Sequence, residues 1–264
     1  MRRLFFLISS LLLFFTKPIF PAFEGESDFV SPPISFVSAF IPSNYVQSKQ
    51  LLFSTSGSRL YSMQECNDLH TDLLVFFPFA AFGADISFLG SELYSETQLA
   101  ISILKGTSPL FGLKLKLMRL GIKGYYNRFY GSDDFFFLSQ TEYFSFLSTY
   151  ANALPFGYKF KEEKPISTFS SLLRIYPSNW TSFNIKILFS ELTGTGFELG
   201  SSVKLTSIFS FGGGFSLATK AISSTAILSL SKFDLSYNIS IHPELGLTHK
   251  LGLVFSKSKK LGTE

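Results

Sequence analysis

Along much of the chain apolar and polar side chains alternate with a period of two, and this pattern restricts the fold more than any other feature of the sequence. Phe183, Ile185, Ile187 and Phe189 share one parity, against Asn184, Lys186 and Ser190 on the other. Phe197, Leu199, Val203 and Leu205 repeat the pattern against Glu198, Gly200, Ser202, Lys204 and Thr206. Phe233, Leu235, Tyr237, Ile239 and Ile241 repeat it against Lys232, Asp234, Ser236, Asn238, Ser240 and His242. Side chains of a strand point alternately to its two faces, so each segment presents one apolar and one hydrated face. Many such strands in succession predict a barrel in a membrane.

Composition agrees with that reading. Aromatic residues make up 17% of the chain and Phe alone contributes 33 of them, more than a soluble core needs. After the amino terminus no stretch has the length and apolarity of a transmembrane helix; Leu73–Phe82 is too short and contains Pro78. A closed barrel is the other structure that satisfies every backbone hydrogen bond in lipid.

The amino terminus reads as a secretory signal. Arg2 and Arg3 precede an apolar run, Leu4–Phe15, that is too short to span a bilayer, and Thr16, Lys17 and Pro18 end it. Residues 1–22 are therefore assigned to a signal peptide ending near Ala22. Without them the 23 basic residues fall to about 20 against 19 acidic ones, so the net charge gives no reason to expect nucleic acid as a partner. Cys66 is the single cysteine, which excludes an internal disulfide.

Residues 23–48, with Pro32, Pro33 and Pro42, are either a first strand near Ile34–Ile41 or a segment tucked into the lumen. Residues 49–256 are expected to form the barrel, and 257–264 a polar tail. The fold class is all-β: an antiparallel transmembrane β-barrel of about 12–14 strands, an even number, with Gly and Ser filling most joints. Fourteen follows if Ile34–Ile41 is a strand and residues 135–148 form one strand; twelve follows if two weaker segments merge. Three irregularities stand out. The apolar parity switches after Met118, which predicts a bulge near Met118–Arg119 or an exit from the membrane there. Leu73–Phe79 and Phe135–Phe137 are apolar on both parities, as strands between lipid and a packed interior would be, unless they are not strands. Gly212, Gly213 and Gly214 leave one inner face nearly bare.

No motif for nucleotide, metal or nucleophilic chemistry emerges. Gly212–Gly214 lacks the Lys-Ser/Thr of a phosphate loop, and His70, His242 and His249 have no accompanying ligand cluster. No catalytic residue, cofactor or metal is assigned. The polar parity instead supplies candidate lumen-facing residues: Lys114, Lys116, Asn184, Lys186, Glu198, Lys204, Lys232, Asp234 and Asn238.

The run Phe233-Asp234-Leu235-Ser236-Tyr237-Asn238-Ile239-Ser240-Ile241-His242-Pro243-Glu244-Leu245-Gly246-Leu247-Thr248-His249 resembles the terminal hairpin of the PorV/PorQ family of bacterial outer-membrane barrels, within the FadL-like group. Tyr237, His242, Glu244, Leu245, Gly246, Thr248 and His249 carry the resemblance. It implies a barrel of about fourteen strands with transport, export-shuttle or surface-anchoring roles, and it carries over no catalytic residue.

The expectation is a non-enzymatic barrel of the bacterial outer membrane, in contact with outer-membrane lipid and passing a hydrophobic ligand or an exported protein. Two alternatives remain open on sequence: a structural outer-membrane barrel with an occluded lumen, and a secreted soluble β-sandwich.

Overall fold

The computed structural model describes residues 49–60, 67–77, 79–91, 93–106, 109–124, 126–157, 166–190, 194–217, 219–230 and 233–258. The signal segment 1–22, the segment 23–48, Cys66, Lys232 and the end of the tail lie outside the described residues. Fourteen strands follow one another: β1 Lys49–Arg59, β2 Asn67–Phe76, β3 Ala81–Gly90, β4 Tyr94–Gly106, β5 Leu110–Ile122, β6 Tyr126–Gln140 and β7 Phe144–Ala151, then β8 Thr168–Ser178, β9 Thr181–Ser190, β10 Gly194–Lys204, β11 Phe209–Ser216, β12 Ile222–Ser229, β13 Phe233–His242 and β14 Gly246–Ser258. Each pairs antiparallel with its sequence neighbours, and β1 pairs with β14 from Lys49↔Ser258 to Arg59↔His249. The sheet closes on itself, which removes both free edges and overturns the sandwich alternative, because no second sheet faces the first.

Because successive strands run in opposite directions, the turns fall at two ends. The start of β1 and the finish of β14 share one, here the terminal end; the β1–β2, β3–β4 and β13–β14 connections lie at the other, here the loop end.

Among the described residues the fourteen strands begin at Lys49, and the strand expected at Ile34–Ile41 lies outside those residues. The additional strand comes from residues 135–148, which are not one strand: β6 and β7 meet in a turn at Thr141–Tyr143. That turn contains neither Gly nor Pro. Thr141 folds it, its Oγ1 accepting from the Tyr143 and Phe144 amides at 3.3 and 3.2 Å. Ser91, Ser178, Thr206 and Ser216 do the same at four other turns, so the abundant hydroxyls act as turn formers. At the carboxyl end β14 reaches Ser258, and Lys257 pairs with Leu51, so the strand takes in the first two residues assigned to the tail.

The bulge proposed near Met118 is absent. Pairing of β4 with β5 runs without a shift from Tyr94↔Ile122 to Gly106↔Leu110. Met118 and Leu120 fall on the parity of Lys114 and Lys116, and exposed Arg119 on that of Leu115 and Leu117, close to the strand end. The parity switch thus falls in regular strand near the end of β5, which leaves the exit from the membrane as the expectation still open. A register shift does occur in β8 between Ile175 and Ser178, where Pro177 has no amide to donate.

Exposure separates the two faces of the wall. One parity carries large exposed apolar side chains, among them Phe82, Ile86, Leu99, Ile101, Leu115, Leu117, Phe183, Ile185, Leu199 and Leu251. The other carries buried polar groups such as Ser54, Ser56, Asp72, Asp85, Lys114, Lys116, Ser132 and Asp134. In a closed single-layer barrel the sheltered parity is the interior. The excess of Phe is found on the outer face. In β3 it reads Phe82, Ala84, Ile86, Phe88 and in β9 Phe183, Ile185, Ile187, Phe189, with aromatic rings flanking an aliphatic middle, as in barrels girdled at both membrane interfaces.

Near the terminal end the interior turns apolar. Leu52, Leu74, Ala81, Leu104, Leu110, Leu138, Leu147 and Val254, contributed by eight adjacent strands from β14 through β7, form one buried cluster with Phe76 and Leu172 against it. Of the segments that are apolar on both parities, Phe135–Phe137 lies in β6, and Leu73–Phe76 ends β2 while Phe77 and Phe79 fall in the turn beyond it. Leu74 and Phe136 point into the buried interior while Leu73 and Phe135 are exposed outside.

Candidate functional site: a charged barrel interior

Toward the loop end from this apolar layer, the interior of β1–β6 becomes a network of ions. Lys114 on β5 lies directly across from Ser102 on β4, and its Nζ passes over that strand to Asp85 Oδ2 on β3 at 2.9 Å. Lys116, two residues on, reaches Asp134 Oδ1 on β6 at 2.5 Å and donates to Asn152 Oδ1 at 2.6 Å. On β2, Asp72 accepts from Ser54 Oγ and lies 3.7 Å from His70 Nε2. Lys114, Lys116, Asp72, Asp85 and Asp134 are all buried, so the network is held away from water and each charge depends on its partner.

Asn152 joins this network to the β7–β8 connection. Its backbone has a positive φ of 51°, a conformation Asn tolerates better than most residues. Its amide donates to Asp134 Oδ1 at 2.9 Å, its Nδ2 donates to the Ile166 carbonyl at 2.9 Å, and its Oδ1 also accepts from Ser132 Oγ at 2.7 Å. Past Ala151 the chain continues along β6 irregularly, with Phe156 bridging to Gly131 and the Leu154 amide donating to Asp133 Oδ1 at 2.7 Å. That arrangement buries Asp133, although its position is on the outer parity.

Elsewhere the inner wall is lightly furnished. Arg174 Nε donates to Asn184 Oδ1 at 2.6 Å, Lys186 pairs with its cross-strand neighbour Glu198 at 3.1 Å, and Asn238 Nδ2 donates to Thr225 Oγ1 at 2.6 Å. Gly200, Ser202, Gly212 and Gly214 line β10 and β11, and a Cβ at Gly212 or Gly214 would come within 3.0 Å of the β10 backbone. These glycines keep the backbone bare where neighbouring strands approach closely.

Of the residues singled out in the sequence, Lys114, Lys116, Asn184, Lys186, Glu198, Lys204, Asp234 and Asn238 occupy the inner parity, Lys204 exposed at the end of β10. The structure brings Lys186 to Glu198 and leaves Lys204, Asp234 and Asn238 on separate parts of the wall. Sequence reasoning missed the partners Asp72, Asp85, Asp134, Asn152 and Arg174. Two buried lysines on the inner face of one strand call for acids within reach, here one strand away at Asp134 and two strands away at Asp85, a signal legible only once strands are paired.

The terminal-hairpin residues serve the turn and both faces of the wall. His242 Nδ1 accepts from the Glu244 and Leu245 amides at 3.1 and 3.0 Å, and Gly246 has a φ of 99°. Buried Thr248 points inward. His249 lies on the outer parity, hydrogen-bonded to Tyr237 Oη at 2.7 Å. His242 and His249 thus face opposite sides of the wall and do not form a common site. Among the described residues no cluster of His, Cys, Asp and Glu has the arrangement of a metal site.

No family model matches the chain, and no curated protein matches it. Solved structures do. A protein described as the CymD monoaromatic hydrocarbon channel is 9% identical over 85% of this chain and 93% of its own, with a TM-score of 0.55. A bacterial polysaccharide outer membrane secretin is 7% identical over 80% of this chain and 99% of its own, with a TM-score of 0.50. At such low identity the likeness is one of architecture, and it makes this chain a closed antiparallel barrel built like those of outer-membrane channels.

Proposed function

We propose that this protein is a non-enzymatic barrel of the bacterial outer membrane that passes or hands over a hydrophobic cargo. One observation carries the reading: the outer face bears large exposed apolar side chains between its rims, and the buried ion pairs Lys114–Asp85 and Lys116–Asp134 are gathered inside. Lipid on one side and a polar lumen on the other account for that division. The named neighbours, a hydrocarbon channel and a polysaccharide secretin, support a conducting role, and the terminal hairpin's resemblance to the PorV/PorQ family supports an export-shuttle or anchoring variant of it. Residues 1–22 would direct export. The test is fractionation after expression in a bacterium with two membranes, followed by bilayer recording. Heat-modifiable protein in the outer membrane with cargo-dependent conductance supports the proposal; recovery in the soluble periplasm overturns it.

A second reading, a structural barrel with an occluded lumen, is favoured by the burial of small inward side chains. Ser54, Ser132, Ser145 and Thr149 are 0–1% exposed, although a barrel of this strand number is wider than its own wall side chains fill. On this reading residues 23–48, which lead into β1 at the terminal end, occupy the interior. Deleting them would then raise conductance, whereas a barrel already open would conduct equally with or without them.

A further inference from the structure

We propose that the outer wall at the loop end holds a built site for a lipid phosphate, formed by Arg59, His249 and Tyr237 on the three neighbouring strands β1, β14 and β13. The inference rests on the membrane reading above and goes beyond it by naming a specific lipid chemistry and the residues that recognise it.

Charge is distributed unequally over the outer parity. Among described side chains, the acidic and basic residues there are Arg59, Lys105, Arg119, Asp133 and His249. Asp133 is buried beneath the Leu154 segment. What remains uncovered is entirely basic. Lys105 stands alone near the terminal end, and Arg119 at the loop end donates to Asn127 Oδ1 at 2.9 Å. Arg59 and His249 are direct cross-strand partners, which puts their side chains roughly 5 Å apart at Cβ.

Tyr237 completes the group. Its Oη lies 2.7 Å from His249 Nδ1, with the two rings nearly parallel and their centroids 6.2 Å apart. The bond engages Nδ1, so Nε2 is the ring nitrogen left facing away from the tyrosine, and when the phenol is the donor Nε2 carries the proton. Arg59 is exposed at the last position of β1, with a planar donor fork suited to phosphate. A guanidinium and an imidazole N–H side by side at the rim of an apolar belt match a lipid headgroup ending in a phosphate monoester, whose acyl chains would lie over Leu69, Ile239 and Leu251 on the same parity. Tyr237 is the positioning residue; Arg59 and His249 make the contacts.

The experiment uses the full mature chain purified in mixed micelles containing phosphatidic acid and phosphatidylcholine, with retained lipid read by native mass spectrometry. Each sample is also run unheated and heated on a gel. The wild type should retain phosphatidic acid in preference to phosphatidylcholine. Arg59→Gln with His249→Gln should reduce that retention about fivefold or more, since loss of the Arg59 cation near an anionic surface alone amounts to about 1 kcal/mol. Tyr237→Phe should give a smaller loss, and Lys105→Gln should give none. Unchanged retention in the double variant, or an equal loss in Lys105→Gln, overturns the site. Displacement of the lipid by millimolar inorganic phosphate would make it a free-phosphate site and overturns the lipid assignment. A chain that never shows heat-modifiable mobility overturns the membrane reading together with the site, whereas a heat-modifiable barrel with unselective retention overturns the site alone.

Discussion

Lys114 Nζ lies 2.9 Å from Asp85 Oδ2, although the two residues belong to β5 and β3 and the whole of β4 runs between them. Only small side chains, Ala100 and Ser102, stand under the bridge. Lys114→Met leaves Asp85 buried without its counter-ion and should destabilise the barrel by about 3–5 kcal/mol. Adding Asp85→Leu should recover most of the loss. Urea unfolding of the wild type and the two variants in lipid vesicles measures both effects, and a double variant no better than Lys114→Met would show that the two residues are not coupled.

The outer face has its own test in Ile185, in the aliphatic middle of β9. Ile185→Arg should cost about 2–4 kcal/mol. Ser202→Arg, on the inner parity beside Gly212, should be much milder. Equal penalties in a vesicle-folding titration would contradict the assignment of faces.

Closure depends on β14, which pairs on one side with β13 and on the other with β1. Removing Leu247–Phe255 should abolish heat-modifiable protein in isolated membranes, because it leaves two strands unpaired in lipid. Removal of residues 259–264 should leave assembly intact. Lys257 and Ser258 must be kept, since they are paired with β1.

The β13–β14 turn relies on a histidine where other turns rely on a hydroxyl. His242→Ala removes the acceptor for the Glu244 and Leu245 amides and should cost about 1 kcal/mol, read as a lower urea midpoint. His242→Asn, whose short side chain accepts from amides two residues on in the same way, should restore most of it.

At Gly131 an added Cβ would come within 2.2 Å of the Phe156 ring. Gly131→Ala should therefore push Phe156 off β6 and loosen the segment that covers Asp133. Limited proteolysis should then cut faster between Ala153 and Gly157 while the strands stay protected.

The outer face was legible from sequence because lipid tolerates few exceptions: Phe183 to Phe189 announce their strand residue by residue. Thr141 was not legible, because a turn folded by one hydroxyl looks like any other Ser/Thr-rich stretch, and so β6 and β7 read as a single strand. The inner face was half legible. Lys114 and Lys116 stand out by parity, but Asp85 becomes the partner of Lys114 only through a register that skips over β4, and Asn152 acts through a backbone conformation that no spacing reveals. Leu74 and Phe136 blurred the pattern for a physical reason, since the interior near the terminal end is itself apolar.

The phenylalanines flanking the outer belt also act as a ruler. Phe82 and Phe88 in β3, like Phe183 and Phe189 in β9, are separated by six positions, or roughly 20 Å along a strand and about 15 Å along the barrel axis at a typical tilt. Even with the breadth of the rings added, the belt is short beside the roughly 30 Å hydrocarbon core of an average bilayer. In a bilayer that thick the polar rims would be drawn into hydrocarbon or the lipid forced to thin around the wall, whereas a thinner membrane fits without distortion. Bilayer thickness alone would therefore favour residence in one bacterial membrane over the other.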